Sequence, residues 1–416
     1  MSIKNYLEKN KINKLLAYGF STLIGPLTGL LTNPLLAQNL SNQDYALIGF
    51  FGSFQSLLVP LIGFNLSTYY IKNYHNKNKN EQAKLYNTII FGQAIIGLIS
   101  LCIFLTVFYI NFNAEKNNFP FYPYAIYSYS QIYVNIFTTT YLNKLRLEGN
   151  SNSYALTSIS FCLVSVGLTI LMVVIYKQGA SGKLIAALIA SIITSSYGLY
   201  KSIETFVFDL NLLKDGLKFG FSLTISALFW YFITGIDKTL LLKLDDQNTY
   251  GLYIVASQIA GYMAIFYTAI NNVIETDIFK SISENNLKHA LRLISVCLIA
   301  VIFINILYIT FAEHIIGLLT ANRYTSASKF SRILALQNIT IASYYLITKL
   351  FVGYGYLKSE LTVRIIGSIF STSLFIYLID KYGFYGAAWA QVISFLIMTI
   401  LGIIAFSLIY KQNEQK

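Results

Sequence analysis

Along the chain, long apolar runs alternate with short polar connections rich in lysine and asparagine. The pattern predicts twelve helices, each long enough to cross roughly 30 Å of hydrocarbon. The first six are expected at 15–37, 45–71, 86–110, 121–142, 154–176 and 183–203. The second six are expected at 219–242, 250–274, 291–312, 329–352, 361–380 and 385–410. The longest connections (72–85, 204–218, 275–290 and 313–328) leave no room for an inserted soluble domain. The sequence therefore divides into an N-terminal six-helix bundle over 1–203, a cytoplasmic linker over 204–218 and a C-terminal six-helix bundle over 219–416.

Composition agrees with this reading. Of the 416 residues, 55% are hydrophobic and only 12% charged, against roughly 25% charged in a soluble domain. The net charge of +12 could point to nucleic acid, but its placement follows the positive-inside rule instead. With a cytoplasmic N-terminus, most of the 30 lysines and arginines fall on the inner side, including Lys4, Lys9, Lys11, Lys14, Lys72, Lys77, Lys79 and Lys84. Both termini are therefore expected in the cytoplasm, and the first apolar run reads as a retained helix, because no small-residue cleavage site follows the lysine-rich start. Cys102, Cys162 and Cys297 stand alone in apolar stretches and form no disulfide or metal pattern; they read as core residues.

The two halves share a weak internal repeat. "NPLLAQNLSNQDYALIG" (33–49) aligns with "DKTLLLKLDDQNTYGLYI" (237–254) after one insertion. Leu36 then matches Leu240, Leu40 matches Leu244, Gln43 matches Gln247, Tyr45 matches Tyr250 and Leu47 matches Leu252. Each copy ends one outward-going helix and begins the next. Six helices separate them, so both keep the same orientation, which is a parallel repeat about an axis along the membrane normal.

Candidate chemistry is sparse. His75, His289 and His314 lie in separate connections and make no spaced metal cluster; no nucleophile elbow, P-loop or dinucleotide fingerprint occurs. The acidic "DDQN" (245–248) reads as a solvated turn. The sharper signal is Asp237–Lys238 inside an apolar run, where each charge costs roughly 2.5–3.5 kcal/mol at the centre of a membrane helix. At helical spacing Asp237 shares a face with Thr234, Trp230 and Ser226. Neighbouring residues point about 100° apart on a helix, so the two charges are not expected to pair with each other. Two readings stay open: a role in a cavity, or Asp237 bonded to a neighbouring helix with Lys238 snorkelling to the outer interface. Lys329 and Arg332 share a face, with Arg332 deep enough to need a partner or a wet cavity; Arg geometry suits phosphate. Lys349 and Arg364 read as inner-interface residues. Asn65, Gln55, Asn135, Gln337 and Asn338 are expected in interhelical hydrogen bonds. Pro26, Pro34 and Pro60 mark kinks that could serve as hinges or a gate, or simply improve packing.

These stretches resemble a known family. "IDKTLLLKL…YGLYIVASQI", "GYGYLKSELTVR", "YLIDKYGFYGAAWAQVIS" and "LRLEGNSNSYA" (145–155) are similar, in order and spacing, to segments of the polysaccharide-biosynthesis branch of the MOP (multidrug/oligosaccharidyl-lipid/polysaccharide) exporter superfamily. Within it the chain is most similar to Wzx-type O-antigen or capsule repeat-unit flippases. The likeness runs over essentially the whole chain.

The resemblance implies an all-α, MATE-like, V-shaped pair of six-helix bundles around a central cavity, and a transporter rather than an enzyme. The implied activity is movement of an undecaprenyl-diphosphate-linked oligosaccharide across the bacterial inner membrane by alternating access. Implied partners are that glycan, membrane lipid, and an O-antigen polymerase with its chain-length regulator. A diphosphate cannot cross hydrocarbon unaided, so Lys238, Arg332, Lys329 and Arg364 are the cations available to a cavity. Trp230, Tyr231 and Tyr345 could stack on sugars. Asp237 matches the family's helix 7 acid and could pair with a cation or bind a coupling H⁺ or Na⁺; no cofactor is implied. A multidrug/cation antiporter of the same superfamily would need an anionic cavity. A lipid II flippase often carries two further helices, and an O-antigen polymerase a large outer loop; neither feature is seen.

Overall fold

The computed structural model describes residues 24–111, 119–203 and 207–414. The N-terminal lysines Lys4, Lys9, Lys11 and Lys14, and 204–206 of the expected linker, lie outside the described residues.

The described chain is helical throughout. The first helix, α1, covers 24–39. The second crossing is split into α2 (Asn42–Ser53), α3 (Gln55–Gly63) and α4 (Leu66–Asn73). Four long rods follow: α5 (Lys79–Asn111), α6 (Tyr124–Leu147), α7 (Ser151–Thr169, continued as a π-helix through Ile175) and α8 (Gly179–Ser202). Next come α9 (Leu210–Thr234), the short α10 (Ile236–Leu240), and an eighth crossing split into α11 (Gln247–Gly261) and α12 (Ala264–Ser283). The set closes with α13 (Leu287–Leu319), α14 (Ser328–Gly353) and α15 (Leu357–Glu414), whose two arms meet at Gly383 (φ 58°). Counting the split crossings once and α15 twice, the described residues make twelve helical passes. Residues 210–218 of the expected linker are the first turns of α9.

Side chains at the turns set where the helices begin. Ser41 and Asp44 bond each other's backbone N–H groups, as do Asn78 and Glu81, which are reciprocal caps. Asn150, Asn286 and Asp246 each accept from the amide three residues ahead. "DDQN" is thus a turn, with Asp245 in the left-handed region and Asp246 capping α11. At the start of α9, Asp209 accepts from the amides of Asn211 and Leu212 and binds Lys84 at 2.7 Å.

By contacts the residues form two compact units, Met1–Leu40 with Phe54–Leu228, and Ser41–Ser53 with Phe229–Lys416. The chain-order division into 1–203 and 219–416 is not the contact division: α2 packs with the second unit and most of α9 with the first.

In the first unit, Leu66, Tyr70, Leu85, Tyr86, Ile89 and Leu213 form a buried core. Polar side chains link its helices: Gln93 to Ser67, Thr140 to Gln93, Thr138 with Ser195 and Gln131 to Ser191. The second crossing breaks at Phe64–Asn65, both left-handed, one turn after Pro60, which itself sits inside α3. The break is satisfied by α9. Asn65 donates to Thr224 at 3.0 Å, and Gly220 lies so close to the freed Phe64 carbonyl that a Cβ there would stand 2.0 Å from the oxygen. Pro26 and Pro34 both lie within the continuous α1.

In the second unit, α2 and α11 cross at two glycines. A Cβ on Gly251 would fall 2.1 Å from the Asn42 carbonyl oxygen, and one on Gly49 would fall 2.3 Å from Ile254. These helices carry the two copies of the repeat, and the matched Tyr45 and Tyr250 are both buried. Gln337 bonds Gln391, and Asn338 bonds the Ala260 carbonyl. Cys297 in this unit and Cys162 in the first are buried, whereas Cys102 of the first unit is exposed and is not the core residue expected. In the first unit, an exposed apolar strip on α5 (Ile95, Ile99, Ile103, Ile110) provides the lipid-facing surface a membrane helix needs.

Candidate functional site

The charges of the Asp237 segment are held by a local strap. α9 stops at Thr234, and Gly235 (φ −124°, ψ −26°) breaks the helical phase before α10. Only glycine fits there: a Cβ would lie 2.8 Å from the Ser53 carbonyl and 2.6 Å from the Tyr231 ring. Ser226, Trp230 and Thr234 therefore lie on α9 and Asp237 on α10, so the expected stripe is not carried by one unbroken helix.

The second expectation about this segment also fails. Lys238 does pair with Asp237, its Nζ lying 3.3 Å from both carboxylate oxygens. The Cα–Cβ vectors diverge, but the four-carbon lysine stem is long enough to curl back. Asp237 is fully buried and also accepts from the Tyr253 hydroxyl at 2.9 Å. Tyr250 donates to the Lys238 carbonyl at 3.0 Å, and Tyr231 bonds Thr239 at 2.8 Å. Three tyrosines from α9 and α11 thus fasten residues 237–239, and a buried ion pair with a further hydrogen bond is the arrangement in which a desolvated carboxylate is tolerated.

The other predicted residues divide. Lys329 is exposed. Arg332, 46% exposed along its side chain, faces Glu313 of α13 at 3.6 Å. An exposed ion pair of this kind contributes little to stability. Arg364, read from the sequence both as an inner-interface residue and as a cation available to a cavity, packs beside Trp230. Its guanidinium stands 5.7 Å from the Trp230 ring centroid and is ion-paired with Glu360, one turn earlier on α15. The Tyr344 hydroxyl donates to the same Glu360 at 3.2 Å.

Around this cation the rings are ordered. Trp230 stacks near Tyr345 (5.7 Å, 27°) and Tyr344 (6.3 Å, 25°), with Phe395 at 5.7 Å behind it. Ile233, Tyr344, Val363, Phe395 and Met398 form the apolar floor. The site is thus a planar cation and a carboxylate beside flat aromatic faces, with groups that can bind an anion and stack on a ring. Glu360 and Tyr344 were missed in the sequence. The signal available was the i, i+4 spacing of Glu360 and Arg364; nothing local tied either to Trp230, more than a hundred residues away.

The chain matches the family model described as polysaccharide biosynthesis protein over residues 12–275, well over half its length. No curated protein matches it. Among solved structures it is similar to an inward-facing multidrug resistance MATE family transporter of the MOP superfamily (TM-score 0.74, 16% identity, covering 95% of this chain and 96% of that one). It is also similar to the lipid II flippase MurJ in an inward closed conformation (TM-score 0.72, 19% identity, 94% and 87% covered). At such identities the likeness establishes the fold, which is that of these transporters.

Proposed function

The chain belongs to the polysaccharide biosynthesis protein family, and from that membership we propose that it moves a lipid-linked oligosaccharide across the bacterial inner membrane. The cargo is an undecaprenyl-diphosphate-linked repeat unit of an O-antigen or capsule, carried by alternating access. The observation that supports this most is Arg364, held against Trp230 and Glu360 within a membrane-spanning unit. A guanidinium suits a diphosphate, and its aromatic neighbours suit a sugar ring. The polyprenyl tail stays in lipid while the polar head passes. Asp237 is the buried acid through which movement couples to H⁺ or Na⁺. The polymerase and chain-length regulator receive the flipped unit.

The test is deletion of the gene with complementation, scoring surface polysaccharide and lipid-linked units by leaflet. Loss of surface glycan with single repeat units stranded in the inner leaflet is the expected result. Outer-leaflet units that accumulate unpolymerised would sink the reading in favour of a polymerase. Intact surface glycan with lost resistance to cationic drugs would favour an antiporter.

A further inference from the structure

A second polar strip lies beside the Arg364 site, on the facing sides of α12 and α14. Tyr267, Asn271 and Glu275 follow one another at i, i+4 spacing on α12, so they line one face; Tyr345 and Lys349 do the same on α14. The two faces meet as a ladder. Tyr267 stacks on Tyr345 with ring centroids 6.2 Å apart and planes 15° apart. One rung further, Lys349 Nζ lies 3.3 Å from Glu275 Oε1. Between the rungs, Asn271 donates its amide to Glu275 Oε2 at 3.0 Å.

The ladder is incompletely bonded. Lys349 is 8% exposed, and its Nζ contact with Glu275 misses hydrogen-bond geometry, so it has no hydrogen-bond partner among the described residues. The Asn271 Oδ1 is likewise buried and unpartnered among them. A membrane-spanning unit has little reason to bury an ammonium and an amide oxygen with bonds unmade unless something else fills them. The open side is formed by Tyr345, 36% exposed, and Glu275, whose side chain is 40% exposed.

The chemistry of the unmet groups narrows the occupant. A cation would meet the Lys349 ammonium, and an anion would meet the Glu275 carboxylate. The strip offers donors and acceptors in one place, with two flat rings beside them, and is neutral overall. A ligand with several hydroxyls and an apolar ring face satisfies all of it. We infer that Tyr267, Tyr345, Asn271, Glu275 and Lys349 form a subsite for an uncharged pyranose of the transported glycan. The Tyr345 ring is shared with Trp230, so the subsite runs on from the Arg364 site. This inference rests on the proposed function and names the sugar class that the site accepts.

Trp230 supplies the reporter. The chain has two tryptophans, and the other, Trp389, is 44% exposed, so W389F leaves Trp230 alone. Full-length W389F protein in nanodiscs is titrated with a neutral methyl hexopyranoside and with the hexuronic acid of the same ring. The neutral glycoside is expected to shift Trp230 emission, and the uronate to bind at least tenfold more weakly. N271L and Y267L should each weaken neutral binding at least tenfold, while Y267F, which keeps the ring, should retain it. Thermal melting of each variant separates loss of binding from loss of fold, and E275Q repeats the test where N271L unfolds. No response to the neutral glycoside, equal binding of the uronate, or unaltered binding in folded N271L and E275Q overturns the subsite. Vesicle translocation of lipid-linked oligosaccharide separates the two readings. A parent protein that binds glycoside but moves no lipid-linked oligosaccharide defeats the proposed function alone. A parent that moves it, with N271L and E275Q moving it equally well, defeats the subsite alone.

Discussion

Lys238 folds its ammonium back onto Asp237, the residue immediately before it, at 3.3 Å, and the Tyr253 hydroxyl completes the carboxylate's shell at 2.9 Å. The pair is internal to one strap of chain, so its consequences can be tested by changing one member at a time. Removing Asp237 alone leaves a mostly buried ammonium; D237A is expected to lower stability by about 3–5 kcal/mol. K238M leaves the acid with Tyr253 as its one side-chain partner among the described residues and should cost a comparable amount. The double variant D237N/K238M should lose clearly less than the sum of the single changes. Thermal melting in one detergent checks this; additive losses would mean that the two charges act independently.

Arg364 is expected to matter more to transport than Arg332. R364A removes the planar cation beside Trp230, and a lost charge-assisted hydrogen bond of about 1.5–3 kcal/mol corresponds to roughly a tenfold to hundredfold weaker grip on an anion. R364K keeps the charge but not the fork, and should fall between wild type and R364A. R332A breaks only an exposed pair and should export near wild type. Leaflet-resolved accumulation of lipid-linked units measures all three; equal defects in R364A and R332A would refute the distinction.

The glycine contacts give a packing test. G220A and G251A place a methyl 2.0 and 2.1 Å from backbone carbonyl oxygens, which cannot swing away as a side-chain tip can, so each is expected to destabilise by about 1–3 kcal/mol or more. Gly167, inside α7, has open space within 4 Å of the place a methyl would take. G167A should therefore be neutral or gain up to about 1 kcal/mol from helix propensity. Melting temperatures of the three variants decide it, and a stable G251A would contradict the close α2–α11 crossing.

Acid should loosen the start of α9 through Asp209. The Lys84 ammonium and the Leu212 and Asn211 amides hold its carboxyl below the usual carboxylate value. A depressed folded pKa contributes stability that is fully present above the unfolded value of about 4. That stability is lost as pH falls through the folded pKa. The melting-temperature gap between wild type and D209N should therefore be constant near neutrality and close as pH drops below about 4. A gap that persists at lower pH would mean that the ion pair is not its source.

Much of the fold was legible in the order of the amino acids alone. Twelve apolar runs of membrane length, separated by capped polar turns, permit little besides helices in lipid, because every backbone group there must be bonded within its own segment. "DDQN" was legible as a turn, because its hydrogen bonds are local; that Asp246 caps a helix, and that Ser41 and Asp44 cap another, came from the structure. Trp230 and Asp237 were also visible, one as a ring and the other as a charge in an apolar run. Their environments were not. Gly235 leaves no room for a side chain because the Ser53 carbonyl sits against it, and only packing brings Ser53 there. Arg364 meets Trp230, and Lys349 meets Glu275, because helices distant in sequence present those faces to each other. Periodicity fixes which residues share a face of one helix; which helix that face meets is decided by long-range packing, and there the polar groups of this protein find their partners.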